Sequence, residues 1–445
     1  MIQTWRKTSS ELIYSPNVIK DIHMKTIDGY DVKIFTDNIE DTAIEQIRQL
    51  LSIDVFSDCK VRIMPDVHAG AGCVIGFTGN LGDKVIPNIV GVDIGCGMLV
   101  QPFICNNPID FHALNEYILR AIPSGRDFRD ENYLPLSQKY SDIYQNAKQL
   151  ILQLRCYREL KEVRRLYKSI GSLGSGNHFI ELDKDESDLY YLVVHTGSRN
   201  LGKQVADIYQ KLAVKCQSGW DKLMVEKNRI IEEYKQAGRK SELQDVIRNL
   251  HNSFKTCKLT IPQDLCYLQG QFREDYLHDM HICQCWAQIN RKLIVNLIMD
   301  FIVGKGVVSS EEHFRPFESV HNYIGNDNII RKGAISARLG EKCIIPLNMR
   351  DGSLICIGKG NEDWNFSAPH GAGRIMSRSQ AFKEISLEDF KKSMEDVYSE
   401  TVTEYTKDES PMVYKSKREI MNNIKDTVDI ETIIKPVFNF KAADI

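Results

Sequence analysis

Five short segments of this chain each set a His, Cys or Asp among small, mostly glycine residues. They are Pro65-Asp66-Val67-His68-Ala69-Gly70, Gly91-Val92-Asp93-Ile94-Gly95-Cys96-Gly97, Gly174-Ser175-Gly176-Asn177-His178, Val194-His195-Thr196-Gly197-Ser198-Arg199 and Pro369-His370-Gly371-Ala372-Gly373-Arg374. Glycine frees the backbone for dihedrals other residues avoid and lets N–H groups crowd an anion. Aspartate, thiolate and imidazole are metal ligands. One such segment means little. Five of them, dispersed between residues 65 and 374, point to a single metal-and-phosphate site gathered by the fold.

The 445 residues can bury a large core, with 42% hydrophobic and 26% charged residues, as in a globular protein. No apolar run reaches the roughly 20 residues that span a bilayer. The start, Met1-Ile2-Gln3-Thr4-Trp5-Arg6-Lys7, lacks the apolar stretch of a signal peptide, so the expected location is the cytoplasm. A formal net charge of −3 excludes a histone-like polycation, and any nucleic-acid contact must use local basic patches. The 12 cysteines form no paired Cys-x-x-Cys knuckles and read mostly as small buried apolar residues, Cys96 excepted.

Periodicity predicts an α+β chain. Residues 1–60 mix short strands with a helix at Asp41–Leu51. Val61–Ile63 reads as a strand, and Ala69–Met98 as buried strands joined by tight turns. Helices are expected over Asp110–Ala121, Asp142–Tyr167 and Asp275–Ile302. The second of these has a basic latter half, either a solvated face or a track for a phosphate backbone. Tyr190–Val194 reads as a strand delivering His195 at its end. Trp220–Ala237 and Glu242–Phe254 resemble a helical hairpin within an insertion at 203–258. Strands are expected at Ala334–Ala337, Lys342–Leu347 and Ser353–Gly358, and a helix at Ser377–Glu384. The expected organisation is one compact mixed-sheet domain, residues 1–445, carrying this helical insertion.

Asp93 and Cys96 lie three residues apart in a Gly-rich stretch, so carboxylate and thiolate can reach one metal, or two metals with sulfur between them. His178, His195 and His321 are the candidate nitrogen ligands. The mixed donor set suits Zn²⁺, Mn²⁺ or Fe²⁺ alike. His370 differs: neutral imidazole is a competent nucleophile toward phosphorus. Attack on an α-phosphate leaves a phosphoramidate, with Arg374 as a forked cation and Arg199, Lys332 and Arg378 as helpers. Phe179 and Glu181 follow His178 closely enough to support a base and read its edge.

Taken together, these segments resemble the RtcB family of RNA-splicing ligases. Matching stretches are Met64–Gly72, Val90–Met98, Ser172–Glu181, Val194–Gly202, His321–Tyr323, Arg331–Ala337 and His370–Arg378. Asp279-Met280, Asn290-Arg291 and Tyr414 also match. The resemblance implies joining of RNA 2′,3′-cyclic phosphate or 3′-phosphate ends to 5′-hydroxyl ends with GTP and two Mn²⁺, in RNA repair or tRNA splicing. It implies a guanylylated His370 and an RNA-3′-pp-5′-G intermediate, with Arg374 and Asp66 as further catalytic residues. Cys96 would bridge two metals, Asp93 and His178 completing one site and His195 with His321 the other. Asn177 would contact a phosphate; Phe179, Glu181, Lys332, Tyr414 and Lys441 fall at guanylate positions.

The chain departs from the family pattern at Leu347-Asn348-Met349-Arg350, where Asn348 replaces a serine expected near guanine, and at Lys441-Ala442, where the family has Lys-Gly. A metallo-phosphoesterase that only opens cyclic phosphates needs Asp93, Cys96 and the three histidines but not His370. A non-catalytic RNA-binding module would use the basic helix and the insertion, and the intact Asp/Cys/His set argues against it.

Overall fold

The structure, a computed structural model, describes residues 25–56, 58–254, 257–308 and 314–442. Of the segment expected to mix short strands with one helix, residues 1–24 lie outside the described residues, as does the tail 443–445.

The α+β expectation holds. Two sheets carry the body. The smaller has the strand order Lys25–Thr26, Val32–Ile34, Val61–His68, Ile75–Asn80, Ile329–Lys332, Tyr323–Ile324. The larger has seven strands, in the order Phe317–Val320, Gly97–Phe103, Tyr190–Thr196, Phe179–Lys184, Val428–Lys441, Gly352–Gly358, Lys342–Asn348. Its pairings are all antiparallel. Its longest strand, Val428–Lys441, pairs on one side with Gly352–Gly358 and on the other with Phe179–Lys184. Sequence periodicity did not predict that strand, because its mixed residues show no clean alternation over 14 positions.

Most helices lie where expected. Asp110 caps Phe111–Ala121 by accepting the Ala113 N–H, and Ser377 caps Arg378–Glu384 by accepting that of Gln380. The expected helix over Asp142–Tyr167 is broken into Ser141–Leu152, a short turn at Tyr157–Glu159, and Val163–Lys168. The cause is Asp279, a buried carboxylate that accepts the backbone N–H groups of Arg155 and Cys156 at 2.9 and 3.0 Å. Those donors are thereby withdrawn from a continuing helix. Glu162, at φ 50°, then turns the chain before the last segment. The helix Arg199–Lys215 buries Leu201, Val205, Ala206 and Tyr209 in the main core, and the expected helical pair is Asp221–Gln236 and Leu243–Ser253. Helix Leu243–Ser253 has no fully buried residue.

The 35-residue helix Gly270–Gly304 packs into both large hydrophobic clusters through residues such as Trp286, Leu293, Ile294 and Ile298. Two adjacent polar residues are also buried in it. Arg291 donates to the carbonyls of Gly95 (2.8 Å) and Thr196 (2.7 Å), and its Nε meets Glu318 at 2.5 Å. Asn290 accepts from the N–H groups of Gly171 and Ser172 at 2.7 and 3.2 Å and donates to the Ser172 carbonyl at 3.0 Å. These bonds pin the loops that carry Cys96, His178 and His195. Among the described residues no helix is long and apolar enough to cross a membrane, and all twelve cysteines are free.

Replacing Arg291 by Met leaves two buried carbonyls and Glu318 without their donor. The expected loss is about 3–5 kcal/mol of unfolding free energy, read as a lower urea midpoint; a change under 1 kcal/mol would remove Arg291 from this role.

Candidate active site

Four candidate ligands come from one end of the larger sheet. Gly97 pairs with Thr196 and with Val320, Met98 with His195, and Phe179 with both His195 and Lys441. Cys96 and His178 therefore immediately precede strands, His195 lies on the penultimate residue of its strand, and His321 immediately follows one. The His321 N–H donates to the Cys96 carbonyl at 2.7 Å, and the Gly95 N–H to that of Asn322 at 2.9 Å. His321 sits where the chain leaves the larger sheet for the smaller, so the site forms between them.

Cys96 Sγ lies 3.4 Å from His178 Nε2 and 3.3 Å from His195 Nε2. His178 Nε2 is 2.9 Å from Asp93 Oδ2, and the Nε2 atoms of His195 and His321 are 3.4 Å apart. Two ligand triangles result, Asp93–Cys96–His178 and Cys96–His195–His321, each with donor atoms within 4.8 Å of one another and both sharing the sulfur. Gly197 makes room for this: a Cβ there would fall 2.1 Å from Asp93 Oδ1.

The electrostatics fit a pair of cations. Burial, reinforced by neighbouring imidazoles, holds His195 and His321 well below the usual histidine range, so both rings are neutral and offer lone pairs. The His195 Nδ1–H donates to the Asn177 carbonyl at 3.0 Å, which leaves its Nε2 as the lone-pair atom facing sulfur. Burial and the Asp93 charge push the Cys96 thiol well up; a divalent ion held there would supply the positive charge that favours the thiolate. Burial alone would raise Asp93, but hydrogen bonds with His178 and Cys96 and the charges of His178 and Arg199 together outweigh it and hold the carboxyl at about 2. The spacings of 3.3 Å from Cys96 Sγ to His195 Nε2 and 3.4 Å from there to His321 Nε2 match the edges of a coordination shell with metal–ligand bonds of about 2.0–2.3 Å.

His370 follows the strand Ser367–Pro369. Its backbone N–H and its Nδ1 both meet Asp66 Oδ2, at 3.2 and 2.6 Å. Asp66 is fully buried on the smaller sheet. Donation from Nδ1–H fixes the tautomer with a free lone pair on Nε2. The His370 ring lies 4.9 Å from that of His321, centroid to centroid. Gly373, at φ +76°, lets the loop close on Asp66, whose carbonyl oxygen a Cβ would meet at 2.5 Å.

Beside His370 opens a cleft of about 190 Å³, lined by Asn177, Phe179, Glu181, His195, Asn348, His370, Arg374, Arg378, Tyr414, Asn439 and Lys441 among others. Burial pushes the Glu181 carboxyl up to about 7, against the Asn439 amide that donates to it at 2.8 Å and the Lys441 charge. The Asn348 side chain is spent on its own turn, accepting from Arg350 and Asp351 N–H groups and donating to Asp351 Oδ2. Glu409 is the residue sequence reasoning missed. It is 1% exposed and collects Lys441 Nζ at 2.5 Å, Tyr414 Oη at 2.6 Å, Arg378 at 2.9 Å and Arg374 at 3.3 Å. Burial would raise its carboxyl, but Lys441, Arg378 and Arg374 outweigh burial and hold it at about 2. No glycine or histidine marks Asp408-Glu409, so nothing in the local pattern singled them out.

Lys332 and Arg199 do not line this cleft. The Lys332 ammonium is buried against the carbonyls of Ala71 (2.6 Å) and Asn88 (3.0 Å), where it ties two loops together. Arg199 donates to the Gly125 carbonyl at 2.7 Å and to Ser172 Oγ at 3.3 Å, and lines a second cleft beyond Asn177 and His178. Arg374 lines the first cleft, but its guanidinium serves Glu409 and the carbonyls of Met376 and Asp408.

The family model described as tRNA-splicing ligase RtcB matches residues 46–442. The chain is 30% identical to the RNA-splicing ligase RtcB of Escherichia coli (strain K12) over 402 residues, 85% of this chain and 88% of that protein. It is 24% identical to the tRNA-splicing ligase RtcB of Methanococcus maripaludis, covering 86% and 87% of the two chains.

Cys96→Ala removes the sulfur common to both triangles. Protein reconstituted with Mn²⁺ or Zn²⁺ is expected to lose more than half of its bound metal by elemental analysis; unchanged stoichiometry would show that the sulfur is no ligand.

Proposed function

The chain belongs to the RtcB family, and on that premise we propose that it is a GTP- and Mn²⁺-dependent RNA ligase of the cytoplasm, acting in RNA repair or tRNA splicing. It would join 2′,3′-cyclic phosphate or 3′-phosphate ends to 5′-hydroxyl ends. The observation that carries this reading is the His370–Asp66 pair opening on the cleft lined by Glu181, Tyr414 and Lys441, one ring away from a sulfur-bridged pair of ligand triangles.

In this reading the two ions, when bound, supply charge for the nucleotide phosphates and lower the pKa of the attacking oxygen. Asp93, Cys96 and His178 would hold one, and Cys96, His195 and His321 the other. His370 Nε2 attacks the α-phosphorus of GTP; the N–P bond forms as the bond to the bridging oxygen breaks, and pyrophosphate leaves. Asp66 keeps the proton on Nδ1 and stabilises the charge that develops on the ring. Water opens a cyclic phosphate to the 3′-phosphate. An oxygen of that phosphate then attacks the guanylyl phosphorus, the N–P bond breaks, and His370 is regenerated. Attack by the 5′-hydroxyl on the 3′-phosphorus finally releases GMP. Asn177 donates to a phosphate. Glu409 keeps Tyr414, Lys441, Arg374 and Arg378 gathered along the nucleotide.

Glu181 reads the base. As a carboxylate it accepts from both N1–H and the 2-amino group of guanine, a pair of donors adenine does not present on one edge. The metallo-phosphoesterase reading explains the ligand triangles but gives no use to the His370–Asp66 pair or to the cleft beside it.

Incubation with α-labelled GTP and Mn²⁺ is expected to label His370, acid-labile and base-stable; His370→Ala should abolish the label, and a label persisting in that variant rules out this nucleophile. Asp66→Asn, which removes the proton-holding charge, should slow labelling by about 10²–10⁴-fold. Because burial raises the Glu181 carboxyl to about 7, it is protonated below that pH and ionised above. Guanosine, which has no phosphate to titrate, should therefore bind roughly tenfold tighter at pH 8 than at pH 6, and Glu181→Gln should flatten that profile and erase the preference over adenosine in calorimetric titration.

A further inference from the structure

The larger sheet curls on itself. Its edge strands Phe317–Val320 and Lys342–Asn348 meet where the Ile344 N–H donates to Ser319 Oγ at 3.0 Å. Val100, Val193, Ile344, Ile355 and Ile434, each from a different strand, form one buried cluster on its inner face. Along Phe179–Lys184 the side chains alternate between faces: Ile180 and Leu182 pack in the cluster on the outer face, while Phe179, Glu181 and Asp183 point inward. Asp183 is the anomaly of this interior. It is fully buried, and neither of its carboxylate oxygens has a hydrogen-bond partner among the described residues. Asn439 Oδ1, on the strand opposite, is buried without a partner as well.

The groups that could supply a hydrogen are engaged elsewhere. Tyr191, opposite Asp183, donates to Asp185 at 2.9 Å. Lys441 is held by Glu409 at 2.5 Å, and the Asn439 amide donates to Glu181 at 2.8 Å. Pro436, opposite Asp183 on the other side, carries no polar side chain, and the Ser353 hydroxyl reaches no acceptor. Lys184 and Lys435 face each other one step along, on the outer face. Lone pairs crowded together without a donor are costly in a dry interior, and an unpaired buried carboxylate takes up a proton instead. Burial pushes the Asp183 carboxyl well above its usual range, and the Glu181 charge pushes it further. Glu181 rises only to about 7, because Asn439 and Lys441 oppose its burial. A single proton held between the two carboxyls therefore sits on Asp183.

We propose that Asp183 is a positioning residue for base recognition: it stays a neutral acid and donates its hydrogen into the Glu181–Asn439 pair, so that Glu181 meets the base as a carboxylate. The proposal rests on the reading of Glu181 as the group that reads guanine. Two residues along a strand separate Cβ atoms by about 7 Å, a span that an Asp and a Glu side chain close directly or through one buried water. The consequence is specificity. An ionised Glu181 accepts from N1–H and the 2-amino group of guanine, whereas a protonated one would donate to N1 of adenine and accept from its 6-amino group. By holding the proton, Asp183 disfavours the state of Glu181 that matches adenine.

Calorimetric titrations of the full chain with guanosine and adenosine test this, comparing Asp183→Leu, which has no hydrogen to give, with Asp183→Asn, an amide donor of the same shape. Asp183→Leu should raise the midpoint of the guanosine pH profile by about one unit. Guanosine then binds roughly five- to tenfold more weakly at about pH 6.5 and within about twofold at about pH 8.5, while adenosine binds more tightly at the lower pH. Asp183→Asn should keep the original midpoint. Because an apolar side chain replaces a buried acid, the urea midpoint of Asp183→Leu should hold or rise, which separates positioning from structural support. An unchanged guanosine midpoint in Asp183→Leu overturns the proposal. So does a shifted midpoint in Asp183→Asn, which would make the charge of Asp183 and not its hydrogen the active property. Infrared difference spectra give a readout independent of the base and of the Leu variant's folding. A protonated-carboxyl stretch in the unaltered protein at about pH 8, lost in Asp183→Asn, supports the neutral acid; its absence rejects it. If Glu181→Gln leaves the preference for guanosine over adenosine intact, the base-reading assignment fails, and the same band alone decides whether Asp183 is the donor for Glu181.

Discussion

A guanidinium buried in the long helix holds the site together. Arg291 reaches two carbonyls, those of Gly95 in the turn before Gly97–Phe103 and of Thr196 at the end of its strand, each adjacent to a candidate ligand, Cys96 and His195. Its neighbour Asn290 does the same for the loop leading to His178. A glycine-rich loop has no side chains of its own with which to fix its path, so its geometry must be imposed from outside. Here a planar, five-donor group on a rigid helix imposes it. The helix is in turn locked by apolar packing on both sides, so the order of the reactive loops derives from the core.

Charge is distributed unevenly between the two halves of the site. Around Cys96 the His195 and His321 rings are neutral and a thiol is buried beside a carboxylate, an arrangement deficient in positive charge. Around Glu409 the opposite holds: one carboxylate gathers two arginines, a lysine and a tyrosine. The first half is suited to cations and the second to an anion that shares those cations with Glu409. The buried carboxyl of Glu181, pushed up to about 7, lines the same cleft as the four partners of Glu409.

Much of the site was legible because its chemistry is carried by rare residue types in unusual surroundings. Asp93, Cys96, His178, His195, His321 and His370 all stand beside glycines or at strand ends, and the structure brings all six together. Glu409 was not legible, since an acidic residue in a polar stretch looks the same whether it is exposed or is the centre of a buried ion network. Lys332 and Arg199 show the converse: basic residues beside the same motifs whose side chains turn to backbone carbonyls and do not line the cleft beside His370. The broken helix at residues 141–168 has the same origin. Its periodicity is helical, but Asp279, more than a hundred residues away, takes the donors needed to continue it.

Composition and motif spacing determined by themselves that this is an α+β chain whose scattered glycine-flanked ligands serve one site, since residue types and short-range backbone needs are written locally. Which loops meet, which nitrogen of His370 is free, and that two clefts meet at Asn177 were decided only by tertiary structure. Those properties depend on strand register and on buried partners such as Asp66, Asp279, Arg291 and Glu409, whose effect exists only once distant segments are packed within hydrogen-bond reach.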